Sequence, residues 1–192
     1  AAGPPFNLLP FVPAPVSGVA AGPGTLTFTD FRTGTFAYTI NGIAQTKPIT
    51  REVFDQLPTC TFGLLSDLTL AYNYQDLWWA APAGLEAGWG VNLTQQGDAM
   101  FATWFTYDVD GSPLWLSAIA FKTAPGVYTG TLVRTTGPAF NAVPFDPSRF
   151  GRTSAGTATF SLATGALGPL PHPGNHVAPT TPLFPPAPPP PA

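Results

Sequence analysis

The sequence predicts an all-β protein: an antiparallel meander, closed as a barrel or folded as a sandwich, flanked by two Pro-rich extended arms. Three observations lead there. Alternating apolar and polar runs of about seven residues recur every ten to fifteen residues, separated by turn residues. Helical periodicity is limited to about one turn near Glu52–Leu57. The prolines sit at the ends, with six in residues 1–23 and eleven in 169–192, against eight in the longer middle. The chain thus divides into an arm (1–23), a β domain (24–168) and a second arm (169–192).

Taken in order, Thr25–Phe31 alternates with Leu26 and Phe28 on one face, and Thr35–Ile40 follows a Gly-containing connection. Asn41-Gly42 is a two-residue hairpin signal, because both positions tolerate positive φ. Thr46–Phe54 is a third strand, and Ser66–Trp79 reads ambiguously. Gly88–Leu93 sets Trp89, Val91 and Leu93 on one face. Met100–Tyr107 sets Phe101, Thr103, Phe105 and Tyr107 opposite Ala102 and Trp104. Leu114–Phe121 groups Trp115, Ile119 and Phe121, and Val127–Thr135 and Thr157–Leu162 complete the set. Gln96-Gly97-Asp98 and Asp108–Gly111 are hairpin tips, while Ala124-Pro125-Gly126 and Thr136-Gly137-Pro138 interrupt the strands.

Composition narrows the function. Lys+Arg is 7 and Asp+Glu is 10, giving a net charge of −3, so no basic footprint for nucleic acid exists. No apolar run is long enough for a membrane-spanning helix. The single Cys60 excludes an intrachain disulfide and a Cys-based zinc site; it reads as a buried small hydrophobe or an intermolecular thiol. The start Ala-Ala-Gly-Pro-Pro is expected of a chain whose export signal has been removed, hence secreted or displayed on the cell surface.

The arms carry no Asp, Glu, Lys or Arg but hold apolar side chains: Phe6, Leu9, Phe11 and Val12 at one end, Leu183 and Phe184 at the other. Proline stiffens such a segment and leaves it little entropy to lose on docking. A flexible spacer is the plainer reading; an arm that docks on a neighbouring subunit is the sharper one.

Gly24-Thr25-Leu26-Thr27-Phe28-Thr29 echoes Gly156-Thr157-Ala158-Thr159-Phe160-Ser161. The string Leu77-Trp78-Trp79, Gly88-Trp89-Gly90-Val91-Asn92-Leu93, Gln96-Gly97-Asp98, Phe101–Asp108, Gly111–Leu116, Gly137–Phe140 and Gly156–Phe160 resembles an uncharacterised bacterial exported repeat family. The resemblance covers most of 24–165 and implies export and a β-rich module, but no activity. In that family the elements similar to Gly34–Thr39 and Ile49–Arg51 come last; here they come first. Strands 24–54 therefore either complete the sheet of 88–165 in the same chain or complete that of the next molecule.

No catalytic motif is present: no Gly-x-Ser-x-Gly, no His-Glu-x-x-His, no P-loop. Both histidines, His172 and His176, lie in the C-terminal arm, and Glu52 and Glu86 have nothing to bring them together. Neither an enzyme nor a cofactor is expected. Asp108-Val109-Asp110-Gly111 lacks the later acidic ligands of a calcium loop and reads as a turn. Asn92-Leu93-Thr94 matches a glycosylation sequon but falls in a strand.

The aromatic residues carry the functional expectation. Trp78, Trp79, Trp89, Trp104 and Trp115 fall within 38 residues, and with Tyr107, Phe101 and Phe105 they are candidates for a stacking platform. For each Trp, core packing is the plainer alternative. A strand with aromatics on both faces, however, cannot bury both in one small core. We expect a non-enzymatic structural subunit that self-assembles through its arms or by strand complementation, in a filament or other surface assembly. The alternatives are a carbohydrate-binding module using exposed Trp or Tyr, and a barrel enclosing a small apolar ligand.

Overall fold

The computed structural model describes residues 3–5, 18–55, 73–80 and 86–162, together with the backbone of 168–170 and 181–184. It is an all-β structure of two antiparallel sheets. The smaller sheet is a meander of β1 (Gly24–Phe28), β2 (Thr33–Ile40) and β3 (Ile43–Thr50). The larger has eight strands: β4 (Asp76–Ala80), β5 (Gly90–Gln96), β6 (Ala99–Tyr107), β7 (Pro113–Ala124), β8 (Val127–Thr136), β9 (Gly151–Ser161), β10 (Gly168–Leu170) and β11 (Thr181–Phe184). Its order is β10-β11-β4-β5-β6-β7-β8-β9. A short 3-10 turn, Pro147–Arg149, precedes β9 and is capped by the Asp146 carboxylate. Among the described residues no helix is long and apolar enough to cross a membrane.

The larger sheet curls. The Tyr74 and Tyr128 rings meet edge to face at 6.1 Å, although Tyr74 precedes β4 and Tyr128 lies on β8. Four strand spacings of about 4.8 Å would hold them about 19 Å apart on a flat sheet. The inward positions of β4–β9 form one core cluster that includes Trp78, Met100, Trp104 and Phe160. Trp78 is 1% exposed, and its Nε1 donates to the Tyr74 carbonyl at 3.0 Å. Buried Gln95 ties the curl together. Its Oε1 accepts from the Tyr74 amide, and its Nε2 donates to the Tyr128 hydroxyl and the Gly97 carbonyl.

The edge strands β9 and β10 lie against each other but share no ladder, so the barrel alternative is corrected to a curled open sheet. Short β10, with its proline, offers too few donors for a seam. Two segments of the second arm are strands: β11 pairs with β4, placing Leu183 opposite Ala80 and Phe184 opposite Trp79. Phe6, Leu9, Phe11, Val12, Cys60, His172 and His176 lie outside the described residues.

Strands 24–54 do not complete the larger sheet of their own chain; they stand as a separate sheet. The hairpin between β2 and β3 explains the third strand's early start. Asn41 (φ 50°) and Gly42 (φ 83°) make the tight turn, so pairing resumes at Ile43 and ends at Thr50. Glu52–Asp55 is not helical. The small sheet is tethered through Gln96 at the end of β5. Its Oε1 accepts from the Phe54 and Asp55 amides, and its Nε2 donates to the Glu52 carbonyl. The Tyr38 ring also lies 6.3 Å from Phe140.

Candidate binding surfaces

Alternation on β4–β7 sends one set of side chains into the core and the other outward. Seven large apolar side chains of the outward set are exposed. Phe105 pairs with Trp115, their rings 5.5 Å apart and tilted by 35°. Gly90 is opposite Phe105 on the other side, and Trp79 continues the row on β4. Phe101 faces Ile119, and Ala99 faces Phe121. Between these rows runs a polar one, Asn92, Thr103 and Ser117, with Leu77 at its end.

Register places no Asp, Glu, Lys or Arg outward on β4–β8. Lys122 and Arg134 have the inward parity at strand ends. They pair with Asp98 and Asp108 at 2.9 and 2.8 Å. Asp98 holds the Lys122 ammonium above its ordinary pKa by hydrogen bond and charge. The seven apolar residues Leu77, Trp79, Phe101, Phe105, Trp115, Ile119 and Phe121 are each between a third and two-thirds exposed. At roughly 200 Å² per large side chain they offer about 700 Å² of exposed apolar surface, in rows either side of that polar one.

The expected platform is therefore split. Trp79 and Trp115 belong to the outward face. Trp78 and Trp104 belong to the core; Trp89 is half-buried and meets Trp104 edge to face at 6.4 Å. Tyr107 has the outward parity but is buried. Gly3 lies against its ring, close enough that any side chain at residue 3 would collide with it. The Gly3 amide donates to the Gly111 carbonyl at 3.4 Å, and Pro4 is buried. The first described residues of the N-terminal arm thus sit on their own domain. The acidic tip is a turn: Asp108 accepts from the Val109 amide and Arg134, and Asp110 from the Ser112 amide.

The small sheet has two unlike faces. Register groups Thr25, Thr27, Thr35, Thr39 and Thr46 on one, and Leu26, Phe28, Phe36, Tyr38, Ile43 and Ile49 on the other, where Gln45 and Lys47 also stand. The echo between β1 and β9 has opposite outcomes. Phe160 is 2% exposed in the core of the larger sheet, whereas its counterpart Phe28 is 66% exposed.

Beyond Phe28 the turn 29–32 and the start of the segment after β3 border an open cavity of about 530 Å³. Arg32 and Arg51 stand at it, and sequence reasoning missed both; only their closeness to Phe31 and Ile49 hinted at a mixed site. No family model matches the chain, and no curated protein or solved structure matches it.

Proposed function

We propose that this protein is a non-enzymatic structural subunit, secreted or held at the cell surface, that assembles with copies of itself. The outward face of β4–β7 is the surface on which a second copy sits. One observation carries this reading: about 700 Å² of exposed apolar surface, on a face without an outward charge. A standard stable interface takes about 800 Å² from each partner. The low charge of the whole chain fits a subunit that stays packed against others. The small sheet supports the same reading, since its largely apolar face exposes Leu26, Phe28 and Ile43 and, among the described residues, its edge strands β1 and β3 have no further partner strand. The likeness to exported bacterial repeats belongs to this proposal too, as does the idea that β1–β3 complete a neighbour's sheet.

A second reading, a carbohydrate-binding surface, is favoured by the row Trp79, Phe105, Trp115 beside Asn92, Thr103 and Ser117. Sugar rings stack on such aromatics, and the adjacent polar groups could bond their hydroxyls. The apolar-ligand barrel has least support, because core side chains fill the inner side of the sheet.

Acrylamide quenching of tryptophan fluorescence tests the choice. Trp78 and Trp104 are already shielded, so the quenchable signal comes from Trp79, Trp115 and half-buried Trp89. Self-assembly predicts that quenching falls as protein concentration rises, with a matching rise in mass. Protection by added polysaccharide at constant mass supports the second reading. Quenching that ignores both concentration and polysaccharide removes both.

A further inference from the structure

We infer that the turn end of the small sheet is a binding site for an amphipathic carboxylate, an apolar body ending in one carboxylate group. The site is independent of the outward face of the larger sheet.

Its floor follows from sequence. Gly34 pairs with Phe28 on one side and Ile49 on the other, and all three line the cavity. A Cβ at Gly34 would lie 2.6 Å from the Thr27 carbonyl oxygen and 3.0 Å from Phe28 Cδ1, so the Phe28 ring already covers the buried Gly34 and forms the floor there. Phe31 adds a further apolar wall, and the cavity of about 530 Å³ lies in the usual range for small-molecule sites.

The rim is cationic. Arg32 and Arg51 both line the cavity, from segments joined by the Arg51 amide donating to the Arg32 carbonyl at 2.7 Å. The ion pairs formed among the described residues are Lys122–Asp98 and Arg134–Asp108, which leaves both guanidiniums unpaired. Arg32 rests over the Phe31 ring at 5.3 Å. Asp30 also lines the cavity, but its carboxylate is engaged in the turn. It accepts from the Arg32 amide at 2.6 Å, the Thr33 amide at 2.8 Å and the Thr33 hydroxyl at 2.8 Å. Those bonds fix the turn that carries Phe31 and Arg32. Two arginines lining a cavity that also holds Phe28, Phe31 and Ile49 suit a planar carboxylate with an apolar tail.

The test is an NMR titration of the full chain with 4-phenylbutyrate, 4-phenylbutanol and acetate. Binding of 4-phenylbutyrate is expected to shift the Gly34, Thr50 and Arg51 amides. The neutral alcohol and acetate are each expected to bind at least about tenfold more weakly. The double variant Arg32→Gln/Arg51→Gln should weaken 4-phenylbutyrate by at least about tenfold while leaving alcohol binding unchanged. Equal affinity for acid and alcohol overturns the proposal without any variant. So does retention of acid binding by the double variant, or shifts confined to the face of β4–β7.

Discussion

Gln96→Ala is the sharpest test of how the two sheets are joined. The side chain is buried and holds three backbone groups of the segment after β3: Phe54 N at 2.8 Å, Asp55 N at 3.0 Å and Glu52 O at 2.9 Å. Each such bond contributes about 1 kcal/mol net, so their joint loss should cost about 2–3 kcal/mol. The segment would detach locally before the larger sheet unfolds, because its ladder is untouched. Amide hydrogen exchange at Phe54 and Asp55 should therefore accelerate by roughly 30- to 150-fold, with core amides of β6 and β7 unchanged. Gln45→Ala is the control, since Gln45 bonds only the Tyr38 hydroxyl within the small sheet. If exchange at 54 and 55 changes by less than about threefold, the Gln96 clamp is not what tethers the segment.

Other consequences are as direct. Phe160→Ala should destabilise by about 3–5 kcal/mol in urea, whereas Phe28→Ala in a dilute monomer should cost under about 0.5 kcal/mol; equal costs would contradict the difference in burial. Gly130→Ala should cost about 1–3 kcal/mol in thermal unfolding, because its Cβ would lie 2.8 Å from Ala120 Cα; an unchanged midpoint would show that β7 and β8 can separate freely. The backbone bond from Arg32, then the bonds from Thr33, hold the Asp30 carboxyl below its ordinary value of 3.8. The folded pKa is depressed, so the turn's stabilisation is present above 3.8 and is lost as pH falls through the lower folded value. Carbon NMR of Asp30 should titrate below 3.8, and a midpoint at or above it would contradict the three bonds.

Much of the fold was legible because alternation has a physical cause. In β6 the residues Ala102 and Trp104 point into the core, and Phe101 and Phe105 point away, as the period of two requires. Asn41-Gly42 likewise dictated its own hairpin. The extent of β9 was not legible: residues 151–156 are rich in Gly, Ser and Thr, and pairing with β8 extends them. The two strands in the C-terminal arm were hidden by proline, which suits only edges or short strands. Within the site, the sequence placed Trp115, Ile119 and Phe121 together but could not separate outward Trp79 from inward Trp78. Adjacent residues on a strand always part, and only register with β5 decides which one enters the core. The burial of Tyr107 was not legible, because Gly3, more than a hundred residues away in sequence, covers it.

The outward face of β4–β7 is the proposed seat of a second copy. Sedimentation equilibrium of the native chain and of Ile119→Lys, over about 1–100 μM, tests it most directly. The native mass should rise well above that of one chain across this range. A lysine in the middle of the uncharged face should return it to the monomer without loss of folded structure. A native chain that stays monomeric throughout, or a variant that assembles as well as the native protein, contradicts the account.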